Sequence, residues 1–279
     1  MLESHSDSLI ERGRFFMSVN ILDVLASHAR ERVRTSLKSK AFDVLMSEAL
    51  SLNHDSDFIF EHALLKNDDI AFICECKKAS PSKGLIAKDF PYLDIAREYE
   101  HAGADAISVL TEPKYFLGSD LYLKEIAENV NIPVLRKDFV VHDYMIAEAK
   151  VLGASAVLLI VSVMNDSETL KHSIRLCDRL GLSALVEAHD ENEIRIAINS
   201  GARVIGVNNR NLKNFTVDFE NSKRLRDLVP ENIIFVAESG IKTRDDVRAL
   251  RECGVNAVLI GEALMKSNDK KAMIETLRS

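Results

Sequence analysis

Leu152-Gly153-Ala154-Ser155-Ala156-Val157-Leu158-Leu159-Ile160-Val161 is the stretch that decides the fold. A glycine ends an amphipathic helical segment, and an unbroken apolar run follows. A glycine just past a helix takes the left-handed conformation without the steric penalty a Cβ would bring. An apolar run with no alternation suits a parallel strand buried on both faces. The same stop recurs at Ala102-Gly103-Ala104, Leu180-Gly181-Leu182, Ser200-Gly201-Ala202 and Cys253-Gly254-Val255, each ahead of an apolar segment. Strands are expected at Ala71–Cys76, Ala106–Leu110, Pro133–Arg136, Ala156–Val161, Ser183–Val186, Val204–Val207, Ile233–Ala237 and Ala257–Ile260.

Sequential βα units with right-handed crossovers give an open doubly wound sheet or a closed barrel. Eight units favour closure. The chain has 279 residues, and a barrel of eight units needs roughly 250. An open sheet would carry a nucleotide-binding glycine turn after its first strand, yet no two glycines lie two apart. The expected fold is an α/β, (β/α)8 barrel.

Residues 20–65 read differently, as helices at Ile21–Leu37 and Phe42–Leu52 with Asn20 as N-cap. Preceding the first strand, they should pack against one end of the barrel. Arg30, Arg32, Arg34, Lys38 and Lys40 form a basic run between them, read as a solvated helix face. No Pro/Gly-rich linker interrupts the chain, so 20–279 is expected to be one domain, with 20–65 as its helical extension. Met17-Ser18-Val19-Asn20 looks like an ordinary start. Residues 1 to about 16 are therefore read as a translated leader, and 1–19 as a disordered segment.

Hydrophobic residues make up 47% of the chain, enough for a large core, and the net charge is −7. That negative excess argues against nucleic-acid and anionic-membrane partners. No apolar run reaches 18 residues and the N-terminus lacks a signal-peptide core, so a cytoplasmic location is expected. Cys74, Cys76, Cys177 and Cys253 show no C-x-x-C spacing and read as reduced small hydrophobes. There is no H-E-x-x-H, zinc-type cluster, G-x-S-x-G or P-loop. No metal, nicotinamide or flavin site is signalled, and the eight scattered histidines read mostly as surface or satisfied core.

Side chains alternate across a strand. At the strand ends, Ile73, Glu75 and Lys77 share a face, as do Leu135, Lys137 and Phe139, and Leu185 and Glu187. The same parity joins Gly206, Asn208 and Arg210, and Phe235, Ala237 and Ser239. Charged groups so close to a core must be paired. Glu75, Lys77, Lys137 and Glu187 can neutralise one another and shift each other's pKa values. Catalytic groups of barrels gather at this C-terminal end. Glu238-Ser239-Gly240-Ile241 reads as a tight turn, and Gly261-Glu262-Ala263-Leu264 opens a helix. Loops after strands seven and eight commonly cradle phosphate in this fold. Ser80-Pro81-Ser82-Lys83-Gly84 is either a phosphate-facing loop or an exposed turn.

Together these residues resemble the indole-3-glycerol phosphate synthase family over roughly Asn20 to the C-terminus. The most specific match is Glu75-Cys76-Lys77-Lys78-Ala79-Ser80-Pro81-Ser82-Lys83-Gly84, similar to the family's E-x-K-x-x-S-P-S signature. Thr111–Ser119, Leu135-Arg136-Lys137-Asp138-Phe139, Leu185-Val186-Glu187, Gly206–Leu212, Ala237–Ile241 and Leu259-Ile260-Gly261 complete it. Cysteines flank Glu75, and Asn209 and Asn211 stand where the family commonly has other polar residues; neither departure is expected to touch the chemistry.

The resemblance implies a TIM barrel acting on 1-(2-carboxyphenylamino)-1-deoxyribulose 5-phosphate in tryptophan biosynthesis, with no cofactor. Lys137 would be general acid, with Glu187 and Lys77 serving loss of water. Glu75 would hold the lysines, Asn208 would bind substrate hydroxyls or carboxylate, and Arg210 would support Glu187 or Asn208. Phe116, Phe139, Leu158 and Pro81 would pack on the aromatic ring. Lys77, Ser239, Gly240 and Gly261 would meet the phosphate, with Ser80 and Leu259 also binding substrate. The 20–65 helices would cap the mouth. Partners reduce to a small phosphorylated substrate, with no nucleic acid or membrane, and a monomer is admissible. The rival readings are another phosphate-binding barrel isomerase or epimerase, and a non-catalytic barrel.

Overall fold

The computed structural model describes residues 20–52, 58–66, 69–164, 166–210 and 216–279. The expected leader and Asn211 lie outside these residues. Eight parallel strands run β1 (Ala71–Cys76), β2 (Ala106–Leu110), β3 (Val134–Lys137), β4 (Ala156–Ile160), β5 (Ser183–Ala188), β6 (Val204–Asn208), β7 (Ile234–Glu238) and β8 (Ala257–Ile260). Each pairs with the next, and β8 closes on β1 with Ala71 opposite Ala257. Nearly every strand residue is buried, as the unbroken apolar runs require. The five helix-ending glycines all have positive φ, from 65° at Gly181 to 89° at Gly201. Each stop thus turns the chain from an outer helix back into the sheet. Cys74, Cys76 and Cys177 are buried free thiols. Cys253 corrects the expectation: it is exposed, at the end of the helix Arg244–Glu252.

The N-terminal extension does not act as one cap. Helix α1 (Ile21–Ser39) starts at Asn20, whose side chain accepts the Leu22 N–H. It lies over the mouth: Arg32 donates two hydrogen bonds to Asp138, just beyond β3, at 2.9 and 2.6 Å. His28 Nδ1 reaches Glu112, beyond β2, at 2.8 Å. So Arg32, expected in a solvated face, is an anchor. Helix α2 (Phe42–Ser51) packs outside the barrel against the helix Asp143–Val151. Helix α3 (Ile59–Leu65) closes the opposite end. Its Glu61 accepts from Arg203, immediately before β6, and the helix buries its own Phe60 and Leu64. Full burial of such side chains contributes about 1.5–3 kcal/mol each.

Arg136 lies between two residues of the inner face and points outward, fully buried. Its guanidinium donates to Asp120, Glu148 and the Met145 carbonyl at 2.8, 2.8 and 3.0 Å. This ties β3 to two outer helices and leaves Lys137, next in sequence, facing the interior.

Candidate active site

A cavity of about 580 Å³ opens at the C-terminal ends of the strands. Glu75, Lys77, Ser80, Pro81, Phe116, Lys137, Phe139, Leu158, Glu187, Asn208, Arg210, Ser239, Gly240, Leu259 and Gly261 all line it. Ile21 and Leu25 of α1 add an apolar edge.

Lys137 stands at the centre. Its Nζ is 3.3 Å from Glu187 Oε2 and 3.1 Å from Glu238 Oε2. Burial disfavours the ammonium, but Glu238, Glu187 and Glu75 outweigh it and push the Lys137 pKa well up. Lys137 is thus a cation throughout the working pH range. Burial likewise opposes the charge on Glu187, yet Lys137, His189 and a hydrogen bond from Asn208 hold its carboxyl well below the usual range. Glu238 goes the other way: burial, with Glu187 and Glu75 nearby, raises it despite Lys137. Lys77 pairs with Glu75 across the cavity floor. Both sit against Gly261, where a Cβ would lie 2.5 Å from Glu75 Oε1 and 3.2 Å from Lys77 Cε. Glycine at this position is what leaves room for the pair.

One expected face is wrong. Side-chain parity predicts Phe235, Ala237 and Ser239 inward, but Glu238 is the inward residue of β7. Phe235 instead packs outward, 5.7 Å beneath the Arg226 guanidinium. Ile233–Ala237 is apolar on both faces, so the sequence holds no marker of which face turns in. A slip of one residue exchanges the faces. Ser239 still reaches the cavity because it begins a turn: its φ is 66°, followed by 84° at Gly240. Backbone N–H groups of a turn can form a concavity suited to anions.

Asn209 also corrects an expectation. Its side chain donates to the Ser239 carbonyl at 3.1 Å and accepts from Ser222 N–H and Oγ at 3.0 and 2.8 Å. A departure from the family's residue that is not expected to touch the chemistry therefore lies at a position that buttresses this turn. Arg210 supports Asn208 through its main chain, its N–H donating to Asn208 Oδ1 at 3.0 Å, while its guanidinium lies 3.8 Å from Glu262.

Phe116 and Phe139 face each other with ring centroids 6.0 Å apart and form, with Leu158, an apolar wall. The Phe116 loop folds around the buried Glu112 carboxylate, which accepts the N–H groups of Lys114, Tyr115 and Phe116 at 3.1, 2.6 and 3.0 Å. The 80–83 loop, for which the sequence allows a phosphate-facing loop or an exposed turn, lines the cavity with Ser80, Pro81, Ser82 and Lys83. Among the described residues no cluster of His, Cys, Asp or Glu could hold a metal ion, and no helix is long and apolar enough to cross a membrane.

Half-buried lysines paired with buried carboxylates, an aromatic wall and a glycine turn at the top of an eight-stranded barrel define a (β/α)8 enzyme of the acid–base type. The family model described as indole-3-glycerol phosphate synthase matches residues 22–277, and the chain belongs to that family. A synthase of that name from Ruminiclostridium cellulolyticum is 57% identical over 258 residues, covering 92% of this chain and 98% of that one. One from Lachnoclostridium phytofermentans is 52% identical, over 89% and 91%. Among solved structures, a thiamine phosphate pyrophosphorylase from Pyrococcus furiosus shares the fold at TM-score 0.57 and 18% identity, covering 77% of this chain and 96% of its own. Family membership makes the chain a decarboxylating lyase of tryptophan biosynthesis.

Proposed function

We propose that this cavity closes the indole ring of 1-(2-carboxyphenylamino)-1-deoxyribulose 5-phosphate through Lys137, Lys77, Glu75, Glu187 and Asn208. The observation that carries the reading is Lys137 set between Glu187 and Glu238, in the same cavity as the Phe116–Phe139 wall. The wall takes the aromatic ring, and the turn at Ser239 and Gly240, with Lys77 and Gly261, takes the phosphate. The ring carbon that bears the carboxylate then lies against the ketone.

As the new carbon–carbon bond forms, negative charge collects on the ketone oxygen. Lys137 delivers its proton there as general acid. An alkoxide is a far stronger base than an amine, so the transfer runs downhill even from an ammonium held by two carboxylates. Positive charge left on the substrate nitrogen is stabilised by Glu75. Carbon dioxide departs and its bonding electrons restore the ring. Glu187 then removes a proton from the former ribulose carbon while the hydroxyl leaves as water, protonated from Lys77. Asn208 orients both Glu187 and the substrate hydroxyls.

One chain supplies every group named, so the reading needs no second subunit, and it treats residues 20–279 as one working domain. Free thiols at all four cysteines suit a cytoplasmic setting. The test mixes purified protein with the substrate and follows indole fluorescence together with carbon dioxide release. Absence of both sinks the proposal; turnover without carbon dioxide would favour an isomerase instead.

A further inference from the structure

Glu187 is held from two sides. Its Oε2 faces Lys137, and its Oε1 lies 3.3 Å from His189 Nε2. The other ring nitrogen, His189 Nδ1, lies 2.9 Å from Glu193 Oε2 in the first turn of the helix Glu191–Asn199. The same Glu193 oxygen accepts the His189 backbone N–H at 2.8 Å. An ionised carboxylate only accepts hydrogen bonds, so an imidazole between two of them is satisfied when both nitrogens carry protons. We infer that His189 is a positioning residue: an imidazolium clamped from behind by Glu193, it keeps Glu187 ionised so that it serves as the base in loss of water. The inference rests on the reading of Glu187 given under Proposed function.

The surroundings agree. Burial disfavours the charged ring, but Glu187 and Glu193 outweigh it and raise His189 to about 10. Lys137 and Asn208 are the other groups on Glu187, Glu238 repels it, and Glu238 and Glu75 act on Lys137. The turn Val161–Val163, packed against both elements, brings no charge. His189 Nε2 makes no well-directed hydrogen bond. Its hold on Glu187 is therefore electrostatic, and the carboxylate keeps lone pairs for the cavity.

His189→Gln tests this, because it keeps a neutral donor of similar reach and removes the charge. Without it the Glu187 carboxyl rises, and activity at lower pH falls. The acid limb of the kcat profile should move up by about one pH unit, roughly a tenfold loss of kcat on that limb. The loss should vanish at higher pH, with KM little changed. Glu193→Gln should shift the limb the same way by less, and it carries the test alone if His189→Gln does not fold. An unmoved limb, or a loss equal at every pH, overturns the inference. Glu187→Gln run alongside separates the two claims. Should it keep near-normal kcat, the reading of Glu187 as base fails. If it is crippled while the His189→Gln limb stays put, only the role of His189 fails.

Discussion

A Cβ placed on Gly206 would lie 2.3 Å from Glu238 Oε1 and 3.1 Å from Leu185 Cδ1. The missing side chain on β6 is the space through which Glu238, on β7, reaches Lys137. Gly206→Ala should therefore push Glu238 aside. Overpacking of this kind costs about 1–3 kcal/mol, and kcat should fall more than KM rises. Urea unfolding and steady-state kinetics check it. A variant with wild-type stability and wild-type kcat would show that Glu238 has room to spare.

The barrel itself was legible because its marks are local: a glycine stop, then an apolar run, repeated along the chain. Glu75, Lys77, Lys137 and Glu187 were legible for a related reason, since a charge in step with buried apolar neighbours points where they point. Glu238 was not, because Ile234–Glu238 has no polar residue before its end to mark a face. Arg32 was hidden by distance: its partner Asp138 lies 106 positions away, and an arginine in a basic run looks solvated until the barrel closes beneath it. Helix α3 at the far end illustrates the same limit, since amphipathic periodicity shows that a face is buried but not against which end. His189 follows the strand, where neither parity nor helical period assigns its ring a direction.

Lys137→Ala should lower kcat by at least roughly a hundredfold, the smaller end of general acid catalysis. The fold should survive, because the two carboxylates left behind can take up protons. Circular dichroism checks the fold and the fluorescence assay the rate. A rate within a few-fold of wild type would take Lys137 out of the acid's role.

Ser239→Asp should raise KM with a smaller effect on kcat, since it sets a carboxylate in the left-handed turn where the substrate's phosphate is to sit. Ser239 already holds a φ of 66°, and Asp tolerates that region better than most residues, so strain does not confound the result. Inorganic phosphate as a competitive inhibitor offers a second reading: its inhibition constant should rise in parallel. Unchanged KM and unchanged phosphate inhibition would move the cradle elsewhere.

Arg32→Ala should loosen α1 from the mouth. Asp138 is fully buried, and Arg32 donates to both its oxygens. Stripping one partner from a buried pair costs about 3–5 kcal/mol, and the lower end applies because Asp138 keeps the Thr111 hydroxyl at 2.6 Å and Arg136 at 3.7 Å. Ile21 and Leu25 ride on the same helix and edge the cavity, so KM should rise as well. The pH dependence follows from Asp138. Burial opposes its charge, but Arg32, Arg136 and Thr111 outweigh this and hold the carboxyl below its ordinary value. A depressed carboxyl contributes stability above its unfolded pKa, about 3.9, and loses it as pH falls through the lower folded value. The stability gap between wild type and Arg32→Ala should thus be full at neutral pH and close as the solution is acidified below about 4. Thermal unfolding across that range measures it; a gap that stays constant to low pH, with KM unmoved, would mean that the pair neither carries this stability nor holds the helix over the substrate.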